Sequence, residues 1–586
     1  MTPSNNEGDQ SPQEIRYLLA GDTNLVVEFG NVIDEQINRR VISVFLTLEA
    51  ERIPGVVELI PTFRSIYINY DPLKTTLPEV RAWVEDTVKR SELRGMPPTE
   101  TVEIPTVYGG EYGPDLEFVA QYHGMTPEEV VSLHESGEYR VYMLGFMSGF
   151  PYLGGLPKEI ATPRLKTPRT LVPAGSVGIA AEQTGIYPEA SPGGWQIIGR
   201  TFKRLFDPHR SPPSLLSPGD KVRFVRVTKE EFLRGSEEVG REAEATPEES
   251  AIEPEEAAWT PILRVIKPGL FTTIQDSGRR FYQKFGVAAS GFLDRYSARL
   301  ANLLVGNDGG EACLEATMLG PEIEFLQRAA FAVTGGDLSP LLNGDPIRMW
   351  RSHTALKGDV LSFGNMRSGA RAYIAVAGGI RVPRVLGSRS THVRSRMGGL
   401  EGRVLKEGDV LKAGAPRYPP ESIEGVEIPP TLIPRFSRDV TVRVIMGPQD
   451  DYFTEDGIQT FLSSRYEVAV ESDRMGYRLR GPPVESISGS DIVSDAIPLG
   501  AVQIPGDGQP IVMMADRQTT GGYAKIATVI DVDVDKIAQM TPGGRVSFIQ
   551  STLEDAHRLR FQQEGAIMDL TERLASERLL SLMQKY

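Results

Sequence analysis

Val172-Pro173-Ala174-Gly175-Ser176-Val177-Gly178-Ile179 is followed by Gly185-Ile186-Tyr187-Pro188, then by Ser191-Pro192-Gly193-Gly194-Trp195-Gln196-Ile197-Ile198-Gly199-Arg200-Thr201. These are short apolar runs, each closed by Gly or Pro, the pattern of short strands joined by tight turns. It extends over residues 101–234 and predicts a β-barrel or sandwich there. Upstream, residues 16–100 mix strand-like runs (Leu25–Phe29, Ser65–Tyr70) with two stretches of helical spacing, Ile33–Glu49 and Leu77–Arg94, predicting a small α+β domain. Downstream, 261–435 and 436–552 share the Gly-punctuated texture, with helices expected at Asp294–Val305 and Val534–Gln539. Residues 553–586 have few breakers and an apolar stripe (Leu570, Leu574, Leu579, Leu580, Leu582, Met583), predicting a terminal helix over a neighbouring surface.

Residues 1–15 read as a disordered tail. Residues 235–260 are Glu-rich with no large apolar residue after Val239 other than Ile252 before Trp259. Such a segment buries too little to offset its ordering entropy, so it is expected to be a mobile acidic linker, helical in part, between two halves. A weak repeat runs through the β-rich parts. Pro218–Phe224 resembles Lys357–Phe363 and Pro542–Phe548, and Asn343–Ile347 resembles Asp507–Ile511. Repeated barrel-like modules are expected from it.

The net charge of −15 over 586 residues argues against non-specific nucleic-acid binding, which wants a basic face, but leaves room for a local cluster binding a small anion. A single cysteine, Cys313, allows no internal disulfide, fits a reducing compartment, and reads as a small core residue. The polar opening Met1–Glu7 has no apolar signal region, and no run approaches the ~18 apolar residues of a membrane span. A cytoplasmic location is the expectation. No Walker loop, His-Glu-x-x-His, paired-Cys or Gly-x-Ser-x-Gly pattern occurs, and no Ala-Met-Lys-Met-like biotin site.

What is present is a dense set of turns and cations. Leu144-Gly145-Phe146-Met147-Ser148-Gly149-Phe150-Pro151-Tyr152-Leu153-Gly154-Gly155-Leu156 leads into Thr162-Pro163-Arg164 and Thr167-Pro168-Arg169. Adjacent glycines let backbone N–H groups converge on an anion, and Arg offers a fork matched to carboxylate or phosphate. With the stretches quoted at the outset, with Val56–Ser65, with Tyr108–Leu116 and with His134, this first half resembles the B subunit of 5-oxoprolinase, the Kip inhibitor family. The second half resembles the C subunit of the same enzyme, the Kip antagonist family. The residues that carry this are Pro268–Arg279, Gly286–Ala288, Gly291–Asp294, Ala301–Asn307, Ser388–Thr391, Ser472–Leu479, Gly500–Pro505 and Asp516–Tyr523. Two departures stand out: His392 where an acidic residue is usual, and Ser148 where Pro is usual.

The resemblance implies a mainly β protein with α+β parts, a small N-terminal α+β domain and several cyclophilin-like β-barrel modules. It implies ATP-dependent opening of 5-oxoproline to glutamate with Mg²⁺, alongside a separate protein like the A subunit of 5-oxoprolinase, with the two halves of this chain in contact. Residue chemistry then nominates Asp276 and Asp294 as metal or proton handlers and His134 as a base. The anion- or substrate-binding candidates are Arg164, Arg169, Gly175, Ser176, Gly193, Gly194, Arg200, Gln275, Arg279, Arg474, Gln503, Gln518, Thr519, Thr520 and Tyr523. No metal-ligand set is legible. Both halves also resemble the carboxyltransferase part of urea carboxylase, so biotin-dependent carboxyl transfer with separate carboxylase and carrier chains is a rival. Control of a sensor histidine kinase is a second.

Overall fold

The computed structural model describes residues 14–94, 99, 101–245 and 258–583. The N-terminal domain is a four-stranded antiparallel sheet of Arg16–Leu19, Asn24–Glu28, Ser65–Tyr70 and Val56–Pro61, in that spatial order. Helices Glu35–Ala50 and Leu77–Arg94 cover one face, burying Val27, Phe29, Val41, Phe45, Ile68 and Val84 between the layers. Asp34 starts the first helix by accepting from Ile37 N (2.9 Å). Strand Asn24–Glu28 is buried at every position. Its other face is covered too, because Val26, Ile60 and Tyr67 pack on Ala496 from the far end of the chain.

Residues from Thr101 to Arg226 close a seven-stranded barrel whose first and last strands, Thr101–Tyr108 and Lys221–Arg226, pair in parallel. Alternation fixes which side chains enter: along Lys221-Val222-Arg223-Phe224, the valine and phenylalanine are buried and the two cations exposed. A separate two-stranded antiparallel ribbon pairs Arg169–Val172 with Ser191–Gly193, two barrel strands lying between them in the chain. Helix Lys229–Ala245 follows, so the first part of the predicted mobile linker is ordered as helix; residues 246–257, like the predicted tail 1–13, lie outside the described residues.

Residues 260–413 depart from the barrel expectation. They form a seven-stranded and a five-stranded sheet packed face to face, with Leu263, Ile274, Phe325, Phe331 and Ile374 between them. The long strands Ala329–Asp337 and Ser368–Val376 pair over most of their length at the centre of the five-stranded sheet, which is open with Phe271–Gln275 and Ser352–Ala355 at its edges. Cys313 is buried here. The predicted helix at 294–305 spans Arg295–Leu304, and the one at 534–539 spans Asp531–Ala538.

A second seven-stranded barrel runs from Asp439 to Gln550, again with its first and last strands, Asp439–Met446 and Arg545–Gln550, parallel. It too is accompanied by a separate two-stranded ribbon, Asp491–Ala496 with Thr520–Tyr523. Written by position in the chain, the two barrels have the same strand order. The terminal helix Leu553–Met583 buries Ile567, Leu570 and Leu574 against helix Arg295–Leu304 and the apolar cluster around it.

Candidate functional site

The three residues nominated for catalysis have other work. His134 is fully buried in the first barrel between Tyr139 and Phe224, its ring nitrogens bonded to Tyr108 Oη (2.9 Å) and Thr184 Oγ1 (3.1 Å). Burial pushes its pKa down to about 3, so it is a neutral core histidine rather than a base reaching substrate. Asp294 caps helix Arg295–Leu304, accepting from Ser297 N (2.9 Å), Ser297 Oγ (2.5 Å) and Gln539 Nε2 (2.6 Å). Asp276 accepts from Gly278 N (2.8 Å), Arg389 N (2.6 Å), Ser388 Oγ (2.6 Å) and Ser390 Oγ (2.5 Å), tying the 388–390 loop to its own turn. Short polar residues at turns are strong loop anchors, and sequence inspection does not separate that from catalysis.

The anion-binding candidates divide by barrel. In the first, Arg169 pairs with Asp115 (2.6 Å), which also accepts from Ile197 N, while Arg164 is exposed with its guanidinium 5.9 Å from the Trp195 ring centre. Gly175 has φ +78° and backs onto Thr201 O, with Ser176 buried beside it. Gly193 makes room for Tyr187, Gly194 lies near Pro168, and Arg200 is partly buried. In the second, the Gln503 and Gln518 amides converge on Gly521, where a β-carbon would stand 3.4 and 2.9 Å from their nitrogens. Gln503 donates to Tyr523 O (3.4 Å), and Thr519 is buried beside Thr520. Thr520 accepts from Phe146 N (3.2 Å), joining the halves, and Gly145 leaves no space for a side chain against it. Gln275 is buried, donating to Thr273 Oγ1 and Thr391 O. Arg474 sits in a buried ion network with Asp516 (2.9 and 3.1 Å) and Glu315, whose other oxygen accepts from Tyr373 Oη (2.8 Å). Burial alone would raise the Asp516 pKa; Arg474 holds it below the ordinary value.

Only one of these candidates, Arg279, lines the cavity that both halves build. That cavity, about 230 Å³, is walled by Asp22, Asn24, Glu58 and Tyr67 from the N-terminal sheet, and by Ser277, Arg279, Gln283, Ser290, Arg295, Arg517 and Asp531 from the second half. Glu58 bridges them: its carboxylate accepts from Phe281 N and is also held by Gln283. Burial pushes Glu58 up to about 7, against the lowering effect of those bonds and of Arg52 and Lys284. Asp22 accepts from Asp531 N (2.9 Å), and its other oxygen is buried without a partner. Burial, with the neighbouring Asp531, raises Asp22 as well. Carboxylates so perturbed in a cleft make it a candidate functional site. Asp22, Glu58 and Arg517 were not among the sequence candidates; Glu58 sits within a stretch, Val56–Ser65, that carries the family resemblance.

Comparison with known proteins gives the same division into halves. Residues 15–216 match the family model "Carboxyltransferase domain, subdomain C and D", and residues 285–550 match "Carboxyltransferase domain, subdomain A and B". The chain is 45% identical over 236 residues to the B subunit of 5-oxoprolinase from Bacillus subtilis, covering 38% of this chain and 98% of that protein. It is 36% identical over 316 residues to the C subunit of 5-oxoprolinase from Escherichia coli, covering 54% of this chain and 100% of that one. Urea amidolyase of Lachancea kluyveri is 36% identical over 53% of this chain, but only 18% of that much longer protein is matched. The crystal structure of TTHA0988 superposes with a TM-score of 0.77 at 34% identity, covering 90% of this chain and 99% of that one.

Proposed function

The chain belongs to the carboxyltransferase-domain family, joining a half like the B subunit of 5-oxoprolinase to a half like its C subunit, and from that premise we propose that it is a component of an ATP-dependent 5-oxoprolinase. The observation that carries this reading is the cavity shared by the two halves, because a site made of both explains why they are kept on one chain. The reaction assigned is opening of 5-oxoproline to glutamate with ATP hydrolysis, in the cytoplasm, alongside a partner like the A subunit of that enzyme. A lactam carbonyl is a poor electrophile because its nitrogen donates into it; ATP chemistry at the oxygen removes that resonance.

A ligand the size of ATP does not fit the shared cavity. Its volume is below the roughly 300–1,000 Å³ of pockets that enclose drug-sized ligands. Among the described residues no group of three or more His, Cys, Asp or Glu side chains is gathered to hold a metal ion. This chain's contribution is therefore read as binding and orienting the small substrate. The urea amidolyase match favours one second reading, carboxyl transfer from a biotin carrier on a separate chain.

Mixing the full chain with a cognate A subunit, ATP, Mg²⁺ and 5-oxoproline, and measuring glutamate and ADP, tests the proposal. Turnover dependent on all four is expected. Its absence with a folded, cognate A subunit would sink the oxoprolinase reading, and acceptor-stimulated decarboxylation of carboxybiotin would put carboxyl transfer in its place.

A further inference from the structure

Two guanidiniums in the shared cavity lack a contact ion pair although both are buried. Arg279 is 2% exposed; its Nε and Nη2 are taken by Val385 O (3.2 Å) and Ser390 O, and its Nη1 is buried with no partner. Gly398, φ +64°, leaves the space this side chain occupies, since a β-carbon there would overlap Arg279 Nη2. Arg517, 6% exposed, donates to Ile497 O (2.8 Å), Met514 O (3.3 Å) and Gln283 Oε1 (3.5 Å). Among the described residues neither forms an ion pair. Arg295 and Arg560 on the same walls are both paired with Asp531 (2.6 and 2.7 Å). The carboxylates that act on them, Asp276 and Asp516 on Arg279 and Glu58 and Asp516 on Arg517, do so without a contact ion pair. The cost of burying each cation is thus only partly offset, and an anion entering the cavity offsets more of it.

Burial accordingly lowers the pKa of both residues, Arg279 to about 10. The same cavity presents an acceptor, Glu58, with Arg52, Lys284, Tyr67, Gln283 and Arg517 facing it from the surrounding elements. A plain carboxylate would satisfy the guanidiniums and offer nothing to Glu58 beyond the Phe281 N and Gln283 that already hold it. A ligand that also carries an N–H engages both.

We infer that this cavity binds a small carboxylic acid bearing an amide-type N–H, its carboxylate on Arg279 and Arg517 and its N–H donated to Glu58. The choice of an N–H acid rests on the oxoprolinase reading; the demand for an anion rests on the two unpaired guanidiniums alone.

Calorimetric titration of the full chain, with and without the A subunit, tests it using three probes: 5-oxoproline, 2-pyrrolidinone, which lacks the carboxylate, and 5-oxotetrahydrofuran-2-carboxylate, whose ring oxygen replaces the N–H. The lactone acid should bind about 10- to 100-fold more weakly than 5-oxoproline, and pyrrolidinone not measurably, the sizes expected for losing bonds to charged groups. Val57→Trp places bulk in the cavity wall and should abolish 5-oxoproline binding with the melting transition retained. Glu58→Gln should weaken 5-oxoproline by about tenfold or more and leave the lactone acid nearly unchanged.

Equal binding of 5-oxoproline to Val57→Trp and wild type, equal binding of pyrrolidinone, or no binding of either acid overturns the inference. The two proposals fail separately. Turnover with the A subunit that survives Val57→Trp keeps the oxoprolinase reading and removes this site. Acid binding lost in Val57→Trp, without any turnover, keeps the site and removes the reading.

Discussion

In the first barrel the connection between the second and third strands, Gly145–Phe150, is rich in glycine and apolar residues; in the second the corresponding connection, Ala469–Met475, carries Arg474 into a buried ion network. The first loop lies on the other half of the chain, donating from Gly149 N to Phe285 O (2.8 Å) and from Phe146 N to Thr520. The second holds its barrel to the open sheet below through Glu315. Yet the frames coincide. Gly175 N donates to Tyr187 O (2.7 Å) and Thr201 N to Gly175 O (2.9 Å); Gly500 N donates to Met513 O (2.8 Å) and Val529 N to Gly500 O (2.9 Å). Both glycines have φ near +80°, where a side chain is strained. One strand order, set by alternation and by glycine at a matching turn, therefore carries two different faces, and the loops decide what each face joins.

Breaking the ion network is the severest test of that contrast. Arg474→Met leaves Asp516 and Glu315 short of positive charge in the interior and should cost roughly 3–5 kcal/mol in urea unfolding. Phe146→Ala in the first barrel's loop, a half-exposed position, should cost under ~1 kcal/mol. Similar losses from the two would show that the loops do not differ in kind.

The matching turns can be compared directly. A β-carbon at Gly175 would stand 2.2 Å from Thr201 O, and one at Gly500 would stand 2.8 Å from Val529 O. Gly175→Ala should destabilise by about 2–4 kcal/mol and Gly500→Ala by about 1–2 kcal/mol. The reverse order would deny that the two turns are equivalent.

The third prediction turns on the cavity, whose wall includes Ala515, Arg517 and Val529 of the second barrel and no residue of the first. Glu58 titrates near 7 when folded, above its ordinary 4.5, so the folded state holds the extra proton between those values. Stability from this group is thus complete below about pH 4.5 and declines as pH rises through 7. Glu58→Gln should flatten that decline and gain up to ~3 kcal/mol near pH 8, read from melting temperatures across pH. Asp22, pushed up by burial and by Asp531, leaves a residual slope of the same sign. An unchanged pH profile in Glu58→Gln would mean that Glu58 is solvated.

Some of this was legible residue by residue. The likeness of Pro218–Phe224 to Pro542–Phe548 falls on the last strands of the two barrels, so it marks true correspondence. Its third copy, Lys357–Phe363, lies in the open-sheet region, as does Asn343–Ile347, because a glycine turn before an alternating strand suits any antiparallel sheet. Gly193-Gly194-Trp195 and Gly521-Gly522-Tyr523 end the second strands of the two separate ribbons, a parallel visible in sequence only once the barrels are aligned.

What the sequence determined by itself were most of the elements and the family: helices from spacing and the lack of breakers, strands from alternation, turns from glycine, two halves from the motifs each carries. These signals are local, and each is complete within a few residues. Which polar groups are served and which are left wanting was decided by tertiary structure. Asp276, Asp294 and His134 read as reactive and prove fully bonded, while Arg279 and Arg517 come to line the same cavity as Glu58 from segments more than 200 residues away. A buried charge shows its missing partner only after every neighbour has been placed, and that is a property of the packed chain.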